Sequence, residues 1–169
     1  RQADDLFGRS VAISGNYAIV GAYGEDHDAS GANVINYAGS AYIFERTSGT
    51  WSQKQKIVAS DRGGAEDYFG YSVAITGNYA IVGAYYEDHD ASGKEGLNNA
   101  GSAYIFERTN GSWSQKQKIV ASDRQATDYF GRSVAIDGNY AIVGAYAEDH
   151  DVNGGNEVVG AGSAYIFEG

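Results

Sequence analysis

An acidic tetrapeptide that occurs three times is the strongest candidate for a ligand-binding segment in this sequence. The segment Glu25–Gly31 reads Glu-Asp-His-Asp-Ala-Ser-Gly, and related segments occupy residues 87–93 and 148–154. Each fits the pattern Asp-x-Asp-x-Ser/Asn-Gly, in which alternate residues of a tight loop direct oxygen atoms toward one point. Calcium binds about six to eight oxygen ligands. The pattern therefore predicts three calcium loops, and the alternative is an acidic loop that holds only water.

The candidate metal ligands are carboxylate, hydroxyl and amide side chains. They are Glu25, Asp26, Asp28, Ser30, Glu87, Asp88, Asp90, Ser92, Glu148, Asp149, Asp151 and Asn153. In a four-stranded meander, the loop after the second strand shares a face with the loop that leads into the next repeat. Asp5, Asp67 or Asp128 in that linking loop could therefore supply an additional ligand. The distal glutamate of an EF-hand is not identifiable at its usual offset.

Histidine and hydroxyl chemistry is less favoured. His27, His89 and His150 recur between acidic residues, but each lies in a different repeat, so we expect exposed side chains rather than one transition-metal site. Every notable Ser, Asp and His occurs in all copies, whereas an enzyme site usually occurs once in a domain. We therefore predict a protein that is not an enzyme, and an accessory domain of an enzyme is the least favoured class.

Composition excludes several other classes. The chain has 12 Lys and Arg against 22 Asp and Glu, which gives a formal net charge of −10 and argues against binding to nucleic acid or anionic membranes. It has no Cys, so disulfides and thiolate metal sites are excluded. No apolar stretch is long enough to span a bilayer. The absence of a leader and of Met leads us to expect a mature or excised segment of a longer protein.

The whole chain is an internal repeat. Phe7-Gly8 recurs as Phe69-Gly70 and Phe130-Gly131, and residues 7–62 match residues 69–124 at 46 of 56 positions. Five of the ten differences lie in residues 32–37 and their counterparts 94–99, which marks a surface loop. The predicted units are residues 1–62, 63–124 and 125–169, the last without its fourth strand.

Each unit is predicted to contain four short strands, which makes the chain all-β. In the first unit they are residues 10–13, 17–22, 40–45 and 51–58, and Gly15-Asn16 indicates a tight hairpin between the first two. The first two strands are apolar or small on both faces. The fourth alternates, with Ser52, Lys54 and Lys56 on one face and Trp51, Gln53, Gln55 and Ile57 on the other, which fits a more exposed outer strand. This gradient favours a four-stranded antiparallel propeller blade over a sandwich or a β-solenoid.

The repeated text resembles FG-GAP repeats. Phe69-Gly70-Tyr71-Ser72-Val73-Ala74, then residues 80–84 and then residues 101–106 carry the resemblance, which covers essentially the whole chain. It implies a β-propeller like that of integrin α subunits and bacterial surface proteins, and an extracellular or cell-surface location. Tyr23, Tyr85 and Tyr146 replace the expected Pro. The integrin-type calcium loop lies between the first two strands, where this chain has only Gly-Asn, so that site is not carried over.

Three units do not close a propeller, which typically has about four to eight blades. We therefore expect an incomplete ring whose partners are other copies of the chain or further repeats. The acidic face also carries Tyr23, Tyr85, Tyr86 and Tyr146, and we expect it to bind protein or glycan ligands. The predicted function is adhesion or assembly, with a fibre as one form. The alternative is a glycan-binding lectin, although Tyr42, Phe44 and Trp51 could equally serve packing between blades.

Overall fold

The structure, a computed structural model, describes residues 2–63, 66–94, 96–150 and 158–169. The first sheet contains β1 (Val11–Ser14), β2 (Tyr17–Ala22), β3 (Ser40–Thr47) and β4 (Thr50–Ile57). The second contains β5 (Ser72–Thr76), β6 (Tyr79–Ala84), β7 (Ser102–Thr109) and β8 (Ser112–Ile119). The third contains β9 (Phe130–Asp137), β10 (Tyr140–Ala145) and β11 (Ser163–Glu168). Within these ranges every helix or strand element is a strand, so the all-β prediction is confirmed.

Each sheet is an antiparallel meander, and we call the three sheets blades 1, 2 and 3. The strand orders are β1-β2-β3-β4, β5-β6-β7-β8 and β11-β10-β9. The sheets are packed in series and do not close into a ring, which confirms the incomplete propeller. The unit boundaries at residues 62 and 124 stay predictions.

The tight hairpin expected at Gly15-Asn16 is present. Ser14 pairs with Tyr17 at the end of the β1–β2 ladder, and Gly15 has a φ of 58°. A positive φ is costly for most residues and nearly free for glycine, so this turn requires Gly. The same turn joins β5 to β6 and β9 to β10, which fixes the register of each hairpin.

The fourth strand departs from the predicted alternation. Phe44 pairs with Gln53 and Ile43 pairs with Gln55, so Lys54 is the extra residue of a β-bulge. A bulge changes which side chains share a face. Lys54 stays at the surface beside Glu45, whereas the Lys56 side chain is largely buried. The strict alternation predicted for this strand, with Lys54 and Lys56 on one face, was therefore wrong at the bulge.

The core lies between the blades rather than within one sheet. Ile19 and Ile43 of blade 1 belong to one buried cluster with Val73, Ile75 and Trp113 of blade 2. A second cluster joins Ile81, Ala103 and Ile119 of blade 2 to residues of blade 3, including Phe130, Ala141 and Val143. In blade 2 the inner strands β5 and β6 are therefore covered on both faces, as the apolar pattern indicated, whereas the inner strands β1 and β10 of the end blades each keep one exposed face.

The repeated Phe-Gly dipeptide makes the closest contact between blades. Gly70 has a φ of 94°, and a Cβ at this position would overlap the carbonyl oxygen of Ser40 in blade 1. Gly131 stands in the same relation to Ser102 of blade 2. Gly8 has nearly the same φ, 95°, but nothing lies within 4 Å of its missing Cβ. The three equivalent glycines thus differ only in whether a preceding blade is present.

Candidate functional site

The acidic loops follow β2, β6 and β10, on one face of the blade series. In the first two loops an isolated bridge, His27 with Val34 and His89 with Gly96, closes the segment into a narrow hairpin. In the third loop, two predicted ligands, Asp151 and Asn153, lie outside the described residues.

The first carboxylate of each loop points into the protein. Glu25, Glu87 and Glu148 are all buried. Glu87 accepts hydrogen bonds from the backbone amide of His89 (2.9 Å) and from the hydroxyl of Ser102 (2.7 Å). His27 and Ser40 bind Glu25 in the same way. These glutamates therefore fasten the loop to the third strand of the blade.

A lysine from the fourth strand neutralises this buried carboxylate in blades 1 and 2. Lys118 Nζ lies 2.7 Å from Glu87 Oε2 and 2.7 Å from Asp61 Oδ2. Lys56 forms the corresponding ion pair with Glu25, and its ammonium also donates to the carbonyls of His27 (2.8 Å) and Asp28 (2.9 Å). The Lys56 ammonium thus occupies the oxygen-lined space on the inner side of the first loop, and the Lys118 ammonium lies against the buried carboxylate of the second.

The electrostatics of Glu25 reflect these contacts. Burial by itself would raise the pKa of Glu25, because a low-dielectric environment disfavours the charged form. Hydrogen bonds from Lys56, Ser40 and His27 act in the opposite direction and bring the pKa of Glu25 below its ordinary value. Glu25 is therefore a structural anion that stays ionised at neutral pH.

The third acidic position of the loop is used by the loop itself. The Asp28 carboxylate accepts hydrogen bonds from Ser30 N (2.9 Å), Ser30 Oγ (2.6 Å) and Ala32 N (3.0 Å). Asp90 makes the same contacts with Ser92 and Lys94. The Ser30 hydroxyl and these amides hold the pKa of Asp28 far below its usual range. Ser30 and Ser92 therefore donate to a carboxylate in this conformation.

The second acidic position closes the far end of the loop. Asp26 Oδ1 accepts from the amide of Tyr37 at 2.7 Å, and Asp88 Oδ1 accepts from the amide of Asn99 at 2.7 Å. Asp149 accepts from Gly160 N in the same way. In the first two loops the carboxylates at the three acidic positions therefore have separate partners.

Asp5, Asp67 and Asp128 are buried in the linking loops, on the same face as the acidic loops. Asp5 and Asp128 accept hydrogen bonds from Gln2 N and Gln125 N. Burial raises the pKa of Asp67 to about 7, and the negative charges of Glu87 and Asp61 add to this effect. Burial likewise raises the pKa of Asp128. Asp67 and Asp128 are therefore disfavoured as anions by their surroundings.

These arrangements bear directly on calcium. Among the described residues, no three His, Asp or Glu side chains are grouped so that they could hold a metal ion. The carboxylates of Asp26 and Asp28 would have to exchange amide partners for an ion. In the first two loops a calcium ion would therefore have to displace these amide contacts, and calcium binding stays a prediction that an experiment must test.

The histidines of the three loops are apart from one another, in three different blades. Nδ1 of His27 lies 3.1 Å from Glu25 Oε1, and Nδ1 of His89 lies 3.0 Å from Glu87 Oε1. His150 lies 3.3 Å from Glu148. Each histidine is therefore a partner of its own buried glutamate and is partly covered, rather than simply exposed as the sequence predicted.

Tyrosine rings from all three blades form a continuous cluster at this face. Neighbouring rings within the cluster have centroids 4.3 to 5.9 Å apart. We call it the tyrosine cluster, and it contains Tyr23, Tyr37, Tyr68, Tyr71, Tyr85, Tyr86, Tyr129 and Tyr146. Burial raises the pKa of Tyr85, because a phenolate would be poorly solvated there. The sequence identified four of these rings, and missed those in loops that vary between copies.

Arginine side chains lie among these rings. The Arg132 guanidinium is 5.0 Å from the ring centre of Tyr71, 5.1 Å from that of Tyr85 and 4.7 Å from that of Tyr146. Arg9 contacts Tyr71 and donates a hydrogen bond of 3.0 Å to its hydroxyl. Cations over aromatic faces are stabilising. Much of the aromatic surface is therefore used for packing between blades.

Sequence reasoning missed Ser40, Ser102, Lys56 and Lys118 as parts of the loop framework. The serines follow the variable loop and were assigned only to a strand. The lysines were assigned only to one face of the alternating outer strand. The available signal was that these residues recur at the same sequence separation from the acidic segment in both units. The bulge that turns Lys56 inward could not be recognised from the sequence.

The family model described as FG-GAP repeat matches residues 1–44, 51–106 and 113–167. FG-GAP repeat propellers are typical of extracellular or surface proteins and are generally non-catalytic. The comparison with curated proteins gives no significant match. In the described ranges no helix has the length and apolar character needed to cross a membrane.

Proposed function

This chain belongs to the FG-GAP repeat family, and from that premise we propose that it is a non-enzymatic structural segment of an extracellular adhesion propeller. In this proposal its blades associate with further blades of the same kind, and repeated association builds a ring or a fibre. The acidic loops and the tyrosine cluster form the exposed face of that assembly.

The observation that carries the proposal is the state of the two end blades. Val73 and Ile75 of blade 2 are 8% and 6% exposed against blade 1, whereas their equivalents Val11 and Ile13 are 67% and 68% exposed. Each residue pair is identical in type. Blade 1 therefore presents, uncovered, the surface that blade 2 buries.

The opposite end presents the other half of the same contact. Ile43 of blade 1 is fully buried under blade 2, while its equivalent in blade 3, Ile166, is 73% exposed. Ile142 is also exposed, although Ile81 in the same position of blade 2 is buried. Burying an aliphatic side chain of this size stabilises an interface by about 1.5–3 kcal/mol. Joining blade 3 of one copy to blade 1 of another would reproduce the internal contact.

Polar contacts across the internal interface also have unused equivalents. Ser10 Oγ donates to the Gly70 carbonyl at 2.8 Å, and Ser72 Oγ donates to the Gly131 carbonyl at 2.7 Å. Ser133 is the next residue in this series, and Gly8 of another copy offers the matching carbonyl. A contact of this type is heterologous, so it gives a closed ring or an open filament depending on the rotation between copies.

Calcium is part of the proposal as a stabiliser of the acidic loops. The support is the threefold recurrence of the Asp-x-Asp-x-Ser/Asn-Gly pattern on one face. In blades 1 and 2 the lysine ammonium fills the inner side of the loop, so an ion would bind on the outer side and displace amide contacts of Asp28 or Asp90.

A glycan ligand is the alternative for the same face. The support is the tyrosine cluster, because sugar rings stack on aromatic faces. Tyr146 and Tyr37 are its most exposed members. A glycan array that is blank both with and without calcium would argue against this alternative.

The experiment is to measure the mass of the purified chain by light scattering over a hundredfold range of concentration, and to image it by electron microscopy. We expect mass to rise with concentration, and filaments or rings in the images. If the images showed only closed rings, the fibre would be contradicted, whereas association between copies would still be supported. A monomer at every concentration would overturn the proposal.

A matched pair of variants identifies the surface. Ile13→Arg places a charge in the exposed blade 1 surface and should abolish association without lowering the melting temperature of the monomer. Ser52→Arg is the control and introduces the same charge on β4. Its equivalent in blade 2, Ser114, stays exposed although blade 2 is packed against blade 1, so a charge at Ser52 should not disturb the same contact between copies. Equal association by the two variants would show that the repeated contact is not the one used.

A further inference from the structure

The outer edge of blade 3 differs from that of the other blades. β3 is paired with β2 and β4, and β7 is paired with β6 and β8. β11 is paired with β10, and no strand of the described residues lies on its other side. A bare strand edge offers a row of amide and carbonyl groups to an incoming strand. Three further features of the same place indicate which strand would fit.

A cavity of about 240 Å³ lies between blades 2 and 3 beside this edge. Tyr79, Ile105 and Gln117 of blade 2 line it on one side. Two of their equivalents in blade 1 contact Trp113: the ring of Tyr17 is 6.0 Å from the indole, and Gln55 donates to the Trp113 carbonyl at 2.7 Å. The third equivalent, Ile43, belongs to the same buried cluster as Trp113. The cavity therefore has the surroundings that receive an indole one blade earlier.

A buried carboxylate, that of Glu148, lies at the inner end of the same edge. Glu148 is 1% exposed and accepts hydrogen bonds of 2.6 Å from Ser163 Oγ and from His150 N. Its equivalent Glu87 makes both of these contacts and is also paired with Lys118. Within the described ranges no lysine or arginine is paired with Glu148. A buried carboxylate is strongly favoured by a paired cation.

The position of the missing cation follows from the register. Lys118 pairs with Tyr104 across the β7–β8 ladder, and its ammonium also contacts Asp61. Tyr165 and Asp123 are the equivalents in blade 3, and they are joined by a hydrogen bond of 2.7 Å. A lysine opposite Tyr165 in an added antiparallel strand would therefore reach both Glu148 and Asp123.

We propose that the free edge of β11, the cavity and Glu148 together form a docking site for one extended peptide strand with the pattern of β8. The strand adds antiparallel to β11, with a tryptophan in the cavity and a lysine five residues later opposite Tyr165. The lysine meets Glu148, and an isoleucine following it is opposite Ala164, as Ile119 is opposite Ala103.

A folded second copy is a poorer occupant of this edge. Its β4 has the required sequence, but β4 is already paired with β3 over most of its length. Adding it to β11 would require that ladder to break. The site therefore selects a strand that is free to extend, and this proposal goes beyond the assembly of folded copies proposed above.

The test uses the purified chain and a fluorescent peptide with the sequence of residues 111–121, Gly-Ser-Trp-Ser-Gln-Lys-Gln-Lys-Ile-Val-Ala. Binding is followed by fluorescence anisotropy. We expect saturable binding, at least tenfold weaker binding of the peptide with Lys118→Met, and no binding of a scrambled peptide. The Lys116→Met peptide is the matched control and should bind as the parent does. No binding at millimolar peptide, or equal binding of both lysine variants, would overturn the proposal.

The Glu148→Gln protein, combined with the Lys118→Met peptide, completes a double-mutant cycle for the proposed ion pair. With its carboxylate removed, the difference between the parent and Lys118→Met peptides should fall to less than threefold. Hydrogen exchange then locates the site: the amides of residues 163–168 should slow when the peptide is added. Slowing confined to β7 would mean that the peptide replaces β8, and would overturn the proposal. A chain that binds the peptide but stays monomeric alone would contradict only the assembly.

Discussion

The ammonium of Lys118 lies 2.7 Å from the carboxylate of Glu87, and their side chains are only 4% and 2% exposed. This pair joins the outermost strand of blade 2 to the first residue of its acidic loop. The Lys56–Glu25 pair does the same in blade 1. The acidic loop that follows β6 is therefore held by a residue of the outermost strand, across β7.

Replacing Lys118 by Met should be strongly destabilising. The substitution leaves Glu87 buried and without a cation, and loss of one partner of a buried ion pair typically costs about 3–5 kcal/mol. Urea unfolding followed by circular dichroism measures the free energy of unfolding. Lys116→Met is the control, because the Lys116–Glu107 pair is exposed and such pairs contribute about 0.2–1 kcal/mol. Similar losses for both variants would contradict the assignment.

Gly70→Ala should destabilise the chain more than Gly8→Ala. Both glycines have φ near 95°, so the backbone cost of alanine is common to both. Only at Gly70 would the new methyl group overlap the Ser40 carbonyl. We expect a further loss of about 1–3 kcal/mol at Gly70. Chemical denaturation of dilute monomer compares the two, and equal losses would show that the blades can separate to admit a methyl group.

Gly8→Ala should instead weaken association between copies. In an assembly that repeats the internal contact, Gly8 would lie against Ser163 as Gly70 lies against Ser40. Sedimentation velocity should show a dissociation constant for the variant at least tenfold above that of the parent chain. An unchanged constant would mean that copies associate through another surface.

Asp67→Asn should change how stability depends on pH. The folded pKa of Asp67 is raised to about 7, above its ordinary value near 3.8. A raised carboxyl pKa contributes stability that is complete below pH 3.8 and is lost as pH rises toward 7. Between pH 4 and 8 the parent should lose stability relative to the Asn variant, by roughly 1.4 kcal/mol per pH unit at most. Thermal melts across this range test it, and parallel curves would contradict the raised pKa.

Removing calcium should lower the melting temperature if the acidic loops bind it. A ligand that binds only the folded chain stabilises it in proportion to the logarithm of its concentration. We expect EDTA to lower the melting temperature and added calcium to restore it. The response should be smaller in Asp28→Ala than in a matched Asp137→Ala variant, whose residue ends β9 outside the acidic loops. A melting temperature that changes with neither EDTA nor calcium would remove calcium from the proposed function.

The fold was largely predictable because the sequence of one unit is repeated nearly three times. Each pattern, such as Gly15-Asn16 between two β-prone runs, could be checked against its copies. The orientation of Glu25 could not be predicted in this way. An acidic residue in a Glu-Asp-His-Asp segment appears suited to solvent or an ion, and only the inward turn of Lys56 after the bulge makes its burial favourable. Recurrence establishes that a residue matters to the unit, but it does not establish the direction of its side chain.

The buried apolar contact between consecutive blades is made by residues that do not vary among the copies, such as Phe69 and Phe130, or Ile19 and Ile81. Contacts at the rim do vary, because Arg9, Tyr71 and Arg132 occupy equivalent positions and contact one another across the two junctions. The apolar part of the interface therefore does not distinguish a blade's sequential neighbour from any other blade. Genes of this kind could gain or lose whole units by recombination with only the rim contacts having to adapt, because the apolar part of every new junction would already be complementary.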